Sequence, residues 1–220
     1  MKTFLSRLAS RSFYALGDYF SPLPPVFCHL VAKGSMPKRG SASAIGYDVF
    51  SRAIVDTSKD SHEPFRRKNI FDFENYVRNG HDLTGKVRFN KDERRFEYML
   101  EPREQVCIGI GVVLDMPQGW IARTSLRSST VLNSINFVER AYDRLCGSPI
   151  DSDFRGEPII CIVNEGDSSF PLWKDQKLCQ LLFYHSHGRG PIVPNLIEVD
   201  SYEQLSKTER GTNCHASTGH

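Results

Sequence analysis

The sequence has few of the features that assign a chain quickly. No run of about 18 apolar residues occurs, so no membrane-spanning helix is expected. Charge is nearly balanced, 28 Lys and Arg against 26 Asp and Glu; a net +2 argues against nucleic acid or a membrane as partner. The six cysteines, at 28, 107, 146, 161, 179 and 214, include no CxxC pair. Cys107, Cys161 and Cys179 lie in apolar runs ("QVCIGIGVV", "IICIV", "KLCQLLF"), which predicts buried free thiols in a reducing compartment rather than disulfides. Helical periodicity, internal repeats and low-complexity tracts are also nearly absent.

What remains is a β signature. Short runs rich in Val, Ile and Phe recur at 26–31, 49–55, 105–114, 119–122, 158–163, 177–184 and 192–199, separated by Gly, Pro and Asp. Such spacing predicts an all-β sandwich, jelly roll or barrel. Only "SINFVERAYDRL" at 134–145 suggests a short helix, and "SYEQLSKTER" at 201–210 a single turn. The prolines of "SPLPPV" at 21–26 set off residues 1–25 as an N-terminal extension. Its Lys2, Arg7, Arg11 and serines, with no acid before Asp18, resemble a mitochondrial transit peptide; an amphipathic or disordered extension fits equally. The 58–97 stretch, dense in aromatics and in charge of both signs, predicts a surface insertion with a solvated face.

Four stretches carry chemistry. In "GSPIDSDFRGEPIICIVNEG" (147–166), Asp151 and Asp153 stand between a proline turn and a strand, at the rim of a sheet. A carboxylate there can orient and deprotonate a water, or simply cap backbone amides in a turn. In "GWIARTSLRSST" (119–130), an arginine beside hydroxyls suits phosphate oxygens. "SAIGYDVFSRAIV" carries Asp48, and "KDQKLCQLL" sets Gln180 inside an apolar strand, where its amide must either knit the core or point into a site.

In this order the pieces resemble the trimeric deoxyuridine triphosphatases, a family with five ordered motifs. "AIGYDVFS" is similar to the first, with Asp48 at its acidic position. "PIDSDFRG" is similar to the third, Ile-Asp-x-x-Tyr-Arg-Gly, with Phe154 for Tyr. "KLCQL" is similar to the fourth, with Lys177 for Arg, and "RGTNCHASTG" keeps both ends of the fifth. For the second, Arg123 and Arg127 compete; counting from the "MPQG" turn favours Arg127, Ser128 and Ser129.

The resemblance implies a jelly-roll-like domain over 26–200, a homotrimer, and a flexible arm at 201–220 that closes a neighbouring site. It implies hydrolysis of dUTP to dUMP and pyrophosphate, which keeps uracil out of DNA and supplies dUMP for thymidylate synthesis. Asp151 would activate the water, with Gln180 as the second catalytic position, and Phe154 would pack under the sugar. Arg127, Ser128, Ser129 and Gln180 would hold phosphate oxygens, while backbone at Ser148, Pro149 and Ile150 reads the base. Asp48 would organise the water network. Mg²⁺ would ride on the triphosphate without direct protein ligands, so His185 and His187 are expected to be loop residues. In the tail, Arg210 would reach the γ-phosphate, His215 would stack on uracil, and Ser217, Thr218 and Gly219 would meet the outer phosphates. Asn213, Cys214 and Ala216 replace tail glycines, which predicts weaker closure. A sibling family that deaminates dCTP needs a Glu where this chain has Cys161, which disfavours that reaction. The altered tail, Lys177 and the insertion also fit a second reading, a regulator that binds nucleotide or protein without turnover. An intracellular, reducing location is expected: cytoplasmic or nuclear, or mitochondrial if the N-terminal segment acts as a leader.

Overall fold

Branched and aromatic runs punctuated by Gly and Pro fold into strands almost throughout. The computed structural model describes residues 22–32, 34–56, 62–63, 66–73, 85–137, 149–185, 188 and 190–212. The first strands are β1 (Val26–Leu30), β2 (Lys38–Arg39), β3 (Tyr47–Phe50), β4 (Ala53–Val55), β5 (His62–Glu63), β6 (Arg66–Arg67) and β7 (Asn69–Asp72). Next come β8 (Val87–Asn90), β9 (Arg95–Leu100), β10 (Gln105–Gly109), β11 (Val112–Asp115) and β12 (Trp120–Leu126), then a short helix α1 (Ser128–Leu132). The remainder are β13 (Ile135–Phe137), β14 (Ile150–Asp151), β15 (Ile159–Asn164), β16 (Phe170–Leu172), β17 (Lys177–His185), β18 (Pro191–Ile192) and β19 (Leu196–Val199).

Two large sheets face each other. One orders its strands β14-β12-β17-β3-β2, with β18 beside β17; the other orders them β13-β15-β10-β4-β7. Alternation along each strand sends one set of side chains inward. Ile54, Ile108, Ile160 and Ile162 from one sheet share a core with Val49, Ala122, Leu181 and Phe183 from the other. This is the jelly-roll-like β sandwich that the family resemblance implies, and one of the all-β architectures that the strand spacing predicts. No helix among the described residues is long and apolar enough to cross a membrane.

Several expectations need correction. Two of the apolar runs are broken, at Ser51–Arg52 and at Ile110–Gly111. Gly111 has φ +70°, and a Cβ on Gly34 would stand 1.9 Å from its carbonyl oxygen, so two backbones cross where only glycines fit. At the described start of the helix expected over 134–145, Ile135–Phe137 is instead a strand paired with Ile162–Asn164, because sheet pairing overrides local propensity. The helix lies just before it, at Ser128–Leu132, and the residues from 138 to 148 fall outside those described. The single turn expected near 201 is there, as a 3-10 turn at Tyr202–Gln204.

The 58–97 segment is more than a solvated surface. Phe71 and Phe73 are buried with their rings 5.3 Å apart, edge to face, and β8 and β9 form a hairpin that buries Glu97. Cys179 is a buried free thiol, as expected, and Cys28 is another; burial foremost pushes the Cys28 pKa up to about 12 and raises that of Cys179 as well. Cys107 and Cys161, expected to be free, are joined in a disulfide. They lie directly opposite each other on antiparallel β10 and β15, with Cα atoms 4.0 Å apart. Pattern alone could not reveal that register. Cys146 and Cys214 lie outside the described residues.

Candidate active site

The predicted site residues gather at the two ends of β12. At its Leu126 end, the chain stays extended through Arg127 (φ −73°, ψ 147°) and then turns into α1, which sets Ser128 and Ser129 on the first turn of that helix. Arg127 Nε stands 3.3 Å from Asp48, and Lys177 Nζ stands 3.3 Å from the other oxygen of the same carboxylate. The Asp48 side chain is 4% exposed, whereas those of Arg127 and Lys177 are 34% and 45% exposed. A buried anion thus fixes two cations whose outer faces meet solvent, a charge pattern suited to phosphate oxygens.

Strand register explains the grouping. On β17, Gln180 lies opposite Asp48 on β3 and opposite Ser125 on β12. Gly46 makes room for its amide, since a Cβ there would fall 2.2 Å from Gln180 Oε1. Arg123 sits further along β12, opposite Leu182 and exposed, so geometry groups Arg127 rather than Arg123 with Asp48. A cavity of about 460 Å³ opens beside them, lined by Arg127, Ser129, Asn133, Trp173, Gln176 and Lys177 among others.

The Trp120 end carries the other group. Asp151 pairs with Ile121 on the two-residue edge strand β14, at a sheet rim as predicted. Its carboxylate is 46% exposed and accepts a hydrogen bond from Arg210 at 2.5 Å. Arg210 also lies 3.5 Å from Asp153, with its guanidinium 5.4 Å from the Phe154 ring centroid. Thus Arg210, expected on a phosphate, sits on an acidic pair of its own chain. Phe154 is buried, and Gly156 leaves it space: a Cβ there would stand 2.5 Å from the ring. Pro149 is exposed, and Ile150 pairs with Ala122. Ser148, His215, Ser217, Thr218 and Gly219 lie outside the described residues, as does His187. His185 ends β17, edge-on to Trp120.

Residues that the sequence reading left without a role hold this end together. Buried Arg155 donates to Asp115 at 2.5 Å, to Ser206 Oγ at 2.7 Å and to the Ser152 carbonyl at 2.7 Å. Burial draws its pKa down, against the opposing pull of Asp115. Asp115 accepts in turn from the Ser206 amide, and Tyr202 Oη donates to the Arg155 carbonyl. Leu205 is buried with Val31 and Val113. The first part of the predicted flexible arm is therefore docked on its own domain, and the Arg155 amide donates to the Gly211 carbonyl at 2.7 Å. A second buried pair, Arg52 with Glu157, braces the strand junction behind. The run "FRGE" was the available signal for Arg155 and Glu157; Asp115 offered none.

A β sandwich that presents an arginine, a lysine, hydroxyls and an amide at one strand end, and a rim carboxylate at the other, is a protein for handling nucleotide phosphates. More narrowly, the chain belongs to the dUTPase family, whose model matches residues 94–219. The match begins after the Asp48 strand, whose tie to the site is its pairing with β17. Among curated proteins, the chain is similar to the deoxyuridine 5'-triphosphate nucleotidohydrolase of Fowlpox virus (strain NVSL), 28% identical over 124 residues, 56% of this chain and 77% of the viral protein. It is also similar to the enzyme of the same name from Brucella suis biovar 1 (strain 1330), 27% identical over 124 residues, 56% and 70% of the two chains. Among solved structures, native EIAV dUTPase aligns with TM-score 0.45 and 14% identity over 75% of this chain and 92% of that one. The dUTPase from phage phi11 of S. aureus aligns with TM-score 0.46 and 16% identity, over 83% and 100%.

Proposed function

We propose that the protein is a dUTP diphosphatase, hydrolysing dUTP to dUMP and pyrophosphate. The family match over residues 94–219, which contains Arg127, Asp151 and Gln180 together, carries this reading. Asp151 acts as general base for a water that attacks the α-phosphorus in line. Arg127, Ser128, Ser129 and Gln180 hold phosphate oxygens, with Lys177 as a further cation beside Asp48. Phe154 supports the sugar, and backbone at Ser148–Ile150 reads the base edge. Cys161, already bonded to Cys107, offers no acid for ring deamination.

Two chains contribute to each site. Asp151 lies beside Ile121, and Arg127 follows six residues further on, about 20 Å along an extended strand. The attacking water must lie within roughly 3.5 Å of the α-phosphorus. A separation on that scale favours the Asp151 end of one subunit meeting the Arg127 end of another, as in a homotrimer. The part of the arm beyond the docked Tyr202–Ser206 stretch closes the site, with Arg210 drawn from Asp151 to the γ-phosphate as nucleotide binds.

Mg²⁺ fits as an ion carried by the triphosphate. Among the described residues no group of three or more His, Cys, Asp or Glu could hold a metal, and the Arg127 end presents cations and neutral donors that suit the phosphates and repel a bare ion. Carried on the triphosphate, the ion would neutralise charge on the phosphate oxygens that Arg127, Ser128, Ser129 and Gln180 hold. The test is pyrophosphate release by the purified protein with Mg²⁺ and dUTP, dCTP, dTTP or UTP. Release from dUTP alone is expected; binding of dUTP without release would overturn the proposal.

A further inference from the structure

The β8–β9 hairpin, at the end of the 58–97 segment, reaches the phosphate end of the site through one aromatic ring. The Arg95 guanidinium lies 3.7 Å from the centroid of the Trp173 ring. It is not a loose surface cation. Arg95 Nε donates to Glu97 Oε1 at 3.0 Å, and the Glu97 side chain is 1% exposed. Asn90 and Arg88 donate to the same carboxylate at 2.9 Å and 3.0 Å. Burial alone raises the pKa of a carboxyl, yet these donors outweigh it and hold Glu97 below the ordinary glutamate value. The guanidinium plane is thereby fixed, and stacking on an indole is the geometry that a fixed plane serves.

Trp173 opens the turn that launches Lys177. Its carbonyl accepts from Ser51 Oγ at 2.5 Å, and its amide donates to Gln176 Oε1 at 3.3 Å. The Gln176 amide donates to Ser51 Oγ at 3.0 Å, and the Ser51 amide donates to the Gln176 carbonyl. Ser51 directly follows the strand that carries Asp48. Lys177 therefore leaves a turn that Ser51 ties to the Asp48 strand, Arg127 joins them through Asp48, and the Trp173 ring lines the same cavity as Arg127 and Lys177.

We infer that Arg95 is a positioning residue for substrate phosphates: stacked on Trp173, it fixes the 173–176 turn and with it Lys177 and the cavity wall. The inference rests on the proposed dUTP hydrolysis and gives the extra hairpin a task within it. Arg95 is not among the residues that line the cavity, so its loss is expected to change affinity rather than chemistry.

The test is a double-mutant cycle of Arg95→Ala and Trp173→Phe, with Arg95→Lys alongside, read as KM and kcat for dUTP and as affinity for inorganic tripolyphosphate. Arg95→Ala should raise KM about three- to tenfold, with kcat within about twofold. Tripolyphosphate should weaken in step while dUMP affinity holds. Arg95→Lys, which keeps charge but loses the planar fork, should recover only part of the loss. Trp173→Phe should act in the same direction, and the double variant should fall short of the product of the singles. Unchanged KM in Arg95→Ala, multiplicative effects in the cycle, or a fall in Tm with KM intact would overturn the inference. Tripolyphosphate binding is read without turnover, so failure of dUTP hydrolysis in the unmutated protein strikes the functional proposal and leaves this comparison readable.

Discussion

The two ends of β12 hold charge in different ways. At the Leu126 end, a buried carboxylate on an interior strand grips two cations, and every member lies in the same sheet or directly follows one of its strands. At the Trp120 end, the carboxylate is half exposed on a two-residue edge strand, and its cation comes from the C-terminal segment. The first end is set before substrate arrives. The second depends on what the C-terminal segment does. Phosphate binding needs fixed donors, whereas a general base must be bared to take a proton. The contrast follows the division of labour proposed for the reaction.

The sharpest break in the comparison is Asp151→Asn. It keeps shape and removes the proposed base, so kcat should fall by about 10²–10⁴-fold while dUTP affinity changes little. Single-turnover assays beside equilibrium binding check this; turnover at the unmutated rate would remove Asp151 as the base. Next in size is Arg155→Leu, which leaves Asp115 buried with fewer partners. A loss of about 3–5 kcal/mol is expected, at about 2–4 °C in Tm per kcal/mol, measured by thermal unfolding. Asp48→Asn tests the opposite end. Without its anion the two cations repel and drift, and KM should rise about tenfold with a smaller change in kcat. If Asp48→Asn lowers kcat alone, the prebuilt phosphate end is wrong.

How much of this could be read beforehand differs between the same two ends. Asp48, Arg127, Lys177, Gln180 and Asp151 all lie in short motifs whose residue types state their chemistry, and counting from the "MPQG" turn already favoured Arg127. The sandwich was legible because short runs rich in Val, Ile and Phe, separated by turn residues, repeat along the chain. Long-range pairing was not. The Cys107–Cys161 bond depends on the register of β10 against β15, and Asp115 meets Arg155 and Ser206 across 40 and 91 positions of chain. Glu97 looked like one more charge in a mixed-charge surface stretch. Its burial goes with the β8–β9 hairpin, which sets Arg88 opposite it and brings Asn90 within reach, a pairing that sequence spacing does not encode.

Truncation at Arg210 is a milder break, aimed at the C-terminal segment. Arg210 is paired with Asp151 of its own chain, and the proposed route moves it to the γ-phosphate. Removing residues 210–220 should therefore cost closure and bare the base at the same time. Because tail glycines are replaced at 213, 214 and 216, closure is expected to be weak, and kcat/KM should drop only about tenfold. Loss of Arg210 alone should account for most of that drop in steady-state assays. Unaltered hydrolysis after truncation would show that the segment closes nothing.

The smallest expected effect concerns the support behind the phosphate end, and it depends on pH. Burial raises the Glu97 pKa, but Asn90, Arg95 and Arg88 lower it further, so the folded value lies below the unfolded one. Glu97 then contributes stability that is present above the ordinary glutamate pKa and is lost as pH falls through the folded value. Glu97→Gln keeps volume and one accepting oxygen, so at neutral pH it should cost only about 1 kcal/mol, or about 2–4 °C in Tm. The gap between the two proteins should narrow below about pH 4 as the native carboxyl takes up its proton. A gap that stays constant from pH 7 to about pH 3 would mean that the carboxylate charge is not what holds the hairpin. Arg95 would then have to owe its fixed plane to Trp173 alone.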